Sequence, residues 1–381
     1  MRRILFDIYS AQPAGSSKYH GGGEDIKAVF KYLIEDSKLQ FDIAVFYDPN
    51  KFIDEWIIEL LKRHDIPQYH IKNTNEIKGI IENNQFDVFY SGLPYYLDKC
   101  LFNESIVVRG TIHGLRAIEL PIDSYAHCYA AGANKVKLWI KYKLDFWHVI
   151  DLRKRYIVNS KKYIDALDEF ICDSNYTMYS LIESYPEMKN KRVQVLYAPL
   201  KINSFSQIRT NDEKYILLIS GNRWEKNSIR AIRALDDLIS KRLVDEHQIV
   251  VVGIPFKGIE NTLKNKSRFT FKGYIKTDEL EQLYANCDLF VYPTLNEGFG
   301  LPPIEAMKYG KTCVVSSVCS LPEIYGDTVY WINPYDVYEI QNRVLMGLNH
   351  KINQEHVLNR AEEIMNRQKE DLKKICEFIV S

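Results

Sequence analysis

Two glutamates with seven residues between them, Glu297 and Glu305, enclose Gly298, Phe299, Gly300, Leu301 and the pair Pro302-Pro303. Glycines let a ligand approach the backbone closely, and the unpaired N–H groups at a helix start are positively polarised, so amides here suit phosphate. A carboxylate beside a phosphate is repelled. The two acids should therefore face neutral hydroxyls, as on a sugar or ribose, while the amides face the charge; the combination suggests a nucleotide-sugar pocket. Arg223 and Lys226 supply cations within Ser220-Gly221-Asn222-Arg223-Trp224-Glu225-Lys226-Asn227, and His113 opens His113-Gly114-Leu115-Arg116. Solvated charge is the ordinary state of a loop Lys or Arg, and a lone His is most often a structural hydrogen-bonder. By themselves the spacings show a carboxylate pair, a basic group and an anion site.

Each of these groups needs an element to hold it. The apolar run 289–292 reads as a strand ending at Pro293, and Pro302 and Pro303 suit the first turn of a helix carrying Glu305. Arg223 and Lys226 fall in a loop between a strand at 215–219 and a helix with Ile229, Ile232, Leu235 and Ile239 inward. As a loop residue, Lys226 should be replaceable by Ala without loss of the fold. His113 follows a strand at 106–111, and in open parallel sheets ligands bind beyond the carboxyl ends of the strands. Further strands at 3–8, 41–47, 88–91, 169–172, 193–196, 248–253, 269–271 and 313–316 alternate with helical patterns, among them 24–35, one capped by Ser174, 334–350 and 354 onward. Alternation of this kind implies parallel sheets covered on both faces, an α/β fold. The polar stretch 197–212 reads as an interdomain linker.

A loop rich in Gly, Ser and Pro spans 10–23 and ends in Gly21-Gly22-Gly23. It is neither Gly-x-Gly-x-x-Gly nor a Walker sequence, so a dinucleotide fold and an ATPase phosphate loop are not indicated. A flexible connector is the plain reading, and a loop closing over the donor phosphates or the acceptor is the functional one.

The chain has 381 residues, more than a single core of about 250 to 300 residues accommodates. Fifty Lys and Arg balance fifty Asp and Glu, which argues against a general nucleic-acid binder. Seven cysteines, at 100, 128, 172, 287, 313, 319 and 376, form no Cys-x2-Cys pair, so neither a zinc site nor a disulfide framework is indicated and a reducing cytoplasm fits. The opening residues read as a buried strand because Asp7 interrupts an apolar run too short for a signal peptide, and no run reaches the length of a membrane span. Residues 134–155 carry seven Lys or Arg against two Asp, with Trp139, Phe146, Trp147 and Ile150 able to share an apolar face. That pattern suits peripheral contact with anionic headgroups, and equally a helix buried on one side and solvated on the other. Asp236 and Asp237 are adjacent in a helical stretch, and no Asp-x-Asp is present to hold a metal at a diphosphate.

The wording Glu297-Gly-Phe-Gly-Leu-Pro-Pro-Ile-Glu305-Ala-Met307 resembles the Glu-x7-Glu motif of the retaining glycosyltransferases of family 4. The resemblance implies the GT-B architecture, two Rossmann-like parallel-sheet domains facing each other across a cleft. Residues 1–200 would form the acceptor-side domain, joined by a closing helix over 368–381, and 201–367 the donor-side domain. It also implies transfer of a sugar from a nucleotide-diphosphate sugar to a glycan or lipid-linked saccharide, with polysaccharide assembly as the setting. No metal or other cofactor would be needed. The protein would be cytoplasmic, or peripheral on the inner face of the cell membrane.

Residue roles carry over position by position. Arg223 and Lys226 would hold the diphosphate with the amides near Phe299, Gly300 and Leu301, although their spacing departs from the family's commoner, longer one. Tyr274 and Ile275 would lie at the nucleobase, Glu305 at the ribose, Glu297 at the donor sugar, His113 at a sugar hydroxyl or the acceptor, and Gly22 and Gly23 at the donor phosphates. Catalysis would rest on Glu297, His113 and Lys226. Front-face attack, with the leaving phosphate taking the acceptor proton, is the expected route, and double displacement through Glu297 is its alternative. Other readings are a nucleotide-sugar 2-epimerase, a non-catalytic GT-B partner subunit and a membrane-surface scaffold.

Overall fold

The computed structural model describes residues 1–13, 20–130, 132–146, 148–199, 213–219, 223–253 and 259–381. The linker read at 197–212 lies largely outside them, as do Trp147, Ser220, Gly221 and Asn222. The chain divides into two compact units, one made of Met1–Leu115, Arg155–Ile202 and Met365–Ser381, the other of Arg116–Lys154 and Asn203–Ile364.

The first unit is built on seven parallel strands: β1 (Arg2–Asp7), β2 (Phe41–Tyr47), β3 (Gln68–His70), β4 (Val88–Ser91), β5 (Val107–Ile112), β6 (Glu169–Cys172) and β7 (Arg192–Val195), in the order β3-β2-β1-β4-β5-β6-β7. Strands buried on both faces read as continuous apolar runs, and Ile4, Leu5 and Phe6 of β1 are fully buried. Strand order reverses between β1 and β4, and there the Ser91 hydroxyl donates to the Asp7 carboxylate at 2.6 Å. The 27-residue helix Gln354–Val380 brings Ile375, Cys376, Phe378 and Ile379 into the core around Phe6, Phe30 and Leu33.

The second unit has six parallel strands: β8 (Tyr215–Ile219), β9 (Gln248–Val252), β10 (Phe269–Lys272), β11 (Leu289–Tyr292), β12 (Cys313–Ser316) and β13 (Tyr330–Ile332), ordered β10-β9-β8-β11-β12-β13. Here the order reverses between β8 and β11. The helix Ser228–Ser240 buries Ile229, Ile232, Leu235 and Ile239, as their spacing requires. Ser174 caps the helix Asn175–Ser184 by accepting from the Thr177 amide at 3.1 Å.

Three features differ from the sequence reading. Residues 116–154, expected in a first domain spanning 1–200, group with the second unit. Their side chains explain it: Arg230 makes a two-armed ion pair with Asp123 at 2.8 and 3.2 Å, and the Tyr129 hydroxyl accepts from the Ile229 amide at 3.1 Å. The stretch 134–155 is interrupted, with one helix at Gly132–Phe146 and another at Val149–Ala166. The Gly21-Gly22-Gly23 triplet is the first turn of the helix Gly21–Glu35 rather than the end of a loop, because His20 caps it and accepts from the Gly23 amide at 3.0 Å.

Candidate active site

Lys226 and Glu297, 71 positions apart, are brought together by backbone bonds between the loop after β8 and the loop after β11. The Leu295 amide donates to the Glu225 carbonyl at 2.7 Å, and the Thr294 hydroxyl donates to the same carbonyl at 3.2 Å. Asn227 adopts a left-handed backbone (φ 59°), and its side-chain amide donates to the Pro293 and Pro334 carbonyls at 2.8 Å each. Arg223, Lys226 and Glu297 therefore sit at the strand-order reversal of this sheet, where open parallel sheets bind ligands.

Three donors converge on one Glu297 oxygen, Oε1. The Lys226 ammonium forms a short ion pair with it, the Tyr292 hydroxyl donates at 2.6 Å and the Thr294 hydroxyl at 2.8 Å. Lys226 also donates to the Tyr292 hydroxyl at 3.0 Å. Both charged residues are 8% exposed. Burial alone raises a carboxyl pKa, but the Lys226 charge and the three hydrogen bonds outweigh it and hold Glu297 below its ordinary range. Glu297 is a carboxylate at neutral pH. Beside this pair, Arg116 donates to the Glu225 carboxylate at 2.9 Å, and Arg223, half exposed, stands 3.6 Å from the same oxygen.

The glycine stretch is held from below. Ser320 donates to the Glu297 and Phe299 carbonyls at 3.2 Å each, and Tyr325 makes a short bond to the Gly300 carbonyl. Gly300 has φ +89°, and a Cβ there would lie 2.4 Å from the Leu321 side chain, so both conformation and space call for glycine. Leu301 caps the helix Pro302–Met307, which is only six residues long. Glu305 on that helix is buried and ion-paired to Lys308 at 2.7 Å, and Lys308 also reaches Glu281 at 3.3 Å. Tyr274, just after β10, is 77% exposed, and Ile275 beside it is half-buried.

His113 belongs to the first unit, at the end of β5. Its Nδ1 lies 2.6 Å from Asp173 and 3.7 Å from Asp25, and its Nε2 lies 2.9 Å from the Gly92 carbonyl. Burial would lower the imidazole pKa; the Asp173 charge and hydrogen bond, with Asp25 and Gly92, override it and raise it to about 9. Both ring nitrogens therefore carry protons at neutral pH. Gly22 packs against Leu93, and Gly23 is buried beside the His20 ring and the Ala11 carbonyl. Sequence reasoning passed over Tyr292, Thr294, Glu225 and Asp173. A hydroxyl residue closing an apolar strand just before the first glutamate was the available signal for Tyr292, while Asp173 has no signal short of the sheet order.

Residues 201–364 match the model of the family described as Glycosyl transferases group 1. The serotype-specific mannosyltransferase WbdA of Escherichia coli is 32% identical over 152 residues, 38% of this chain, and the chain spans 19% of that protein. The N-acetyl-alpha-D-glucosaminyl L-malate synthase of Bacillus anthracis is 23% identical over 344 residues, covering 87% of this chain and 83% of that one. Among solved structures, sucrose-phosphate synthase from Thermosynechococcus elongatus superposes with a TM-score of 0.66 at 16% identity, over 100% of this chain and 96% of the other. The fold is thus the two-sheet α/β architecture of the GT-B glycosyltransferases.

Proposed function

We propose that this protein is a retaining, metal-independent glycosyltransferase of family 4. In this reading it moves a hexose from a nucleotide-diphosphate sugar to a glycan or lipid-linked saccharide in surface polysaccharide assembly. The observation that carries the reading is the buried Lys226–Glu297 pair at the strand-order reversal, within the stretch that matches the family model.

Transfer must stabilise a departing diphosphate and an oxocarbenium-like sugar. Lys226 and Arg223, with the amides of Gly300 and Leu301, take the first role, since two cations beside backbone amides bind a dianion with fixed geometry, and Lys226 then shares its ammonium between Glu297 and the phosphate. Phe299, buried within this turn, has its carbonyl held by the Ser320 hydroxyl at 3.2 Å. Glu297 faces the sugar, Glu305 the ribose, and Tyr274 and Ile275 the base. The anomeric C–O bond to phosphate breaks, the acceptor oxygen bonds the same carbon from the same face, and its proton passes to the leaving phosphate oxygen. A Glu297 carboxylate already receiving three donors is a weakened nucleophile, which supports this front-face route over double displacement. His113 takes a sugar hydroxyl or the acceptor; because its ring already serves Asp173 and Gly92, that contact requires one of those bonds to be exchanged. Gly22 and Gly23 join the donor phosphates only if the Gly23 amide exchanges His20 for the ligand.

The test is a thermal-shift screen of UDP-, GDP- and dTDP-sugars, because a ligand that binds the native state alone raises apparent stability. Mannose is the first sugar to include, given the named activity of WbdA. A stabilising donor should be consumed only when an acceptor saccharide is present. Consumption without acceptor would favour a 2-epimerase, and no stabilisation by any nucleotide would favour a non-catalytic subunit.

A further inference from the structure

One oxygen of Glu225, Oε1, faces two guanidinium groups. Arg116 donates to it at 2.9 Å through Nη1, and the Nε of Arg223 stands 3.6 Å away, beyond hydrogen-bond distance. The carboxylate is buried, whereas both arginine side chains are about half exposed. Lys226, the next residue along, is ion-paired to Glu297. Three cations therefore serve two carboxylates, and one guanidinium is surplus to the ion pairing. The Arg223 and Arg116 charges also reach the Lys226 ammonium, where they add to the larger effect of burial and hold its pKa below the ordinary lysine value.

The two arginines are not equivalent. Arg116 opens the short helix Arg116–Glu119, and Glu119 at its other end accepts from the Asn296 side chain at 2.6 Å. Further along the same segment, Asp123 pairs with Arg230 and the Tyr129 hydroxyl accepts from the Ile229 amide. Arg116 thus makes the closer contact from a segment tied down at three further points. Arg223 makes only the longer contact with that oxygen. A buried carboxylate must keep a cation close or be left as an uncompensated charge. While Arg116 holds Glu225, Arg223 can turn to a competing anion at the expense of one long contact. Without Arg116, Arg223 is the cation left on that oxygen, and it closes on Glu225 instead.

We infer that Arg116 is a positioning residue: by neutralising Glu225 it releases Arg223 to bind the diphosphate of a nucleotide ligand. The inference rests on the transferase reading for its ligand, and a set of variants separates the two. Affinities of the full chain for UDP, GDP and dTDP are measured by calorimetry. For the nucleotide that binds most tightly, Arg116→Gln should weaken binding by about tenfold or more, the loss expected for one charge-assisted hydrogen bond, and Arg223→Gln should weaken it as much. Arg116→Lys keeps the charge beside Glu225 and should bind nearly as the parent does. In Arg116→Gln/Glu225→Gln no carboxylate remains to capture Arg223, so the parent's affinity should return. An Arg116 that touched the phosphate itself, or that only held the fold, would leave this double variant as weak as Arg116→Gln, and that result overturns the inference. Parental affinity in Arg116→Gln also overturns it and leaves the transferase reading intact. If the parent binds none of the three nucleotides, the transferase reading falls and the inference falls with it.

Discussion

Lys226 is buried against Glu297, and that burial decides what its removal does. Treated as a loop lysine it should be dispensable to the fold, but in the structure it neutralises a carboxylate that is itself 8% exposed. Lys226→Ala strands that charge and is expected to cost about 3 kcal/mol, read as a lower denaturation midpoint, along with loss of transfer. In Lys226→Ala/Glu297→Gln the stranded charge is gone, so most of the stability should return while transfer stays lost; a double variant as unstable as the single would mean that the charge is not the cause.

The second prediction concerns His113. Its folded pKa of about 9 lies above the ordinary 6.5, so its contribution is fully present below pH 6.5 and is lost as pH rises through about 9. The shift corresponds to about 3 kcal/mol. Denaturant titrations at pH 6 and pH 10 should differ by about that amount more in the parent than in His113→Asn; equal differences would remove the imidazolium from the account. Both site residues were legible as types at the ends of strands. Their partners were not, because Asp173 meets His113 only through the order of β5 and β6, and Tyr292 meets Lys226 only through the bonds between the loops after β8 and β11.

Among the elements, the loop carrying Arg223 and Lys226 depends on Asn227. Its left-handed backbone and its two bonds to carbonyls hold the cation loop to the loops after β11 and β13. Asn227→Ala loses both bonds and keeps a disfavoured backbone, and should cost about 2 kcal/mol with a parallel fall in transfer; Asn227→Asp, which cannot donate, should behave similarly. Unchanged transfer in a stable Asn227→Ala would show that the loop holds itself. The central strands were readable because both faces are buried and their apolar runs are uninterrupted. The edge strands β3 and β13, three residues each, escaped because Gln68-Tyr69-His70 and Tyr330-Trp331-Ile332 are too short for any period to register. The glycine triplet misled for a related reason: Gly is a poor helix former, yet His20 supplies the cap that lets the helix begin there.

At the scale of the whole molecule, each unit is assembled from separated stretches of chain. Residues 365–381 belong to the first unit's core, where Ile375, Cys376, Phe378 and Ile379 are each at most 3% exposed. Four such side chains are worth about 8 kcal/mol of burial, comparable with the entire stability of an ordinary domain. A chain stopped after Ile364 should therefore be cleaved quickly by protease within 1–115 while 223–364 stays protected; equal resistance of both parts would show that the helix is dispensable. The same arrangement sets an order of events during synthesis. The strands of the first sheet emerge early, but the helix that covers Phe6, Phe30 and Leu33 emerges roughly 10 to 40 s after β7 at the usual pace of translation. For that interval the nascent first unit presents an open apolar face, which makes it a client for chaperones at the ribosome until the last turns of the helix are made.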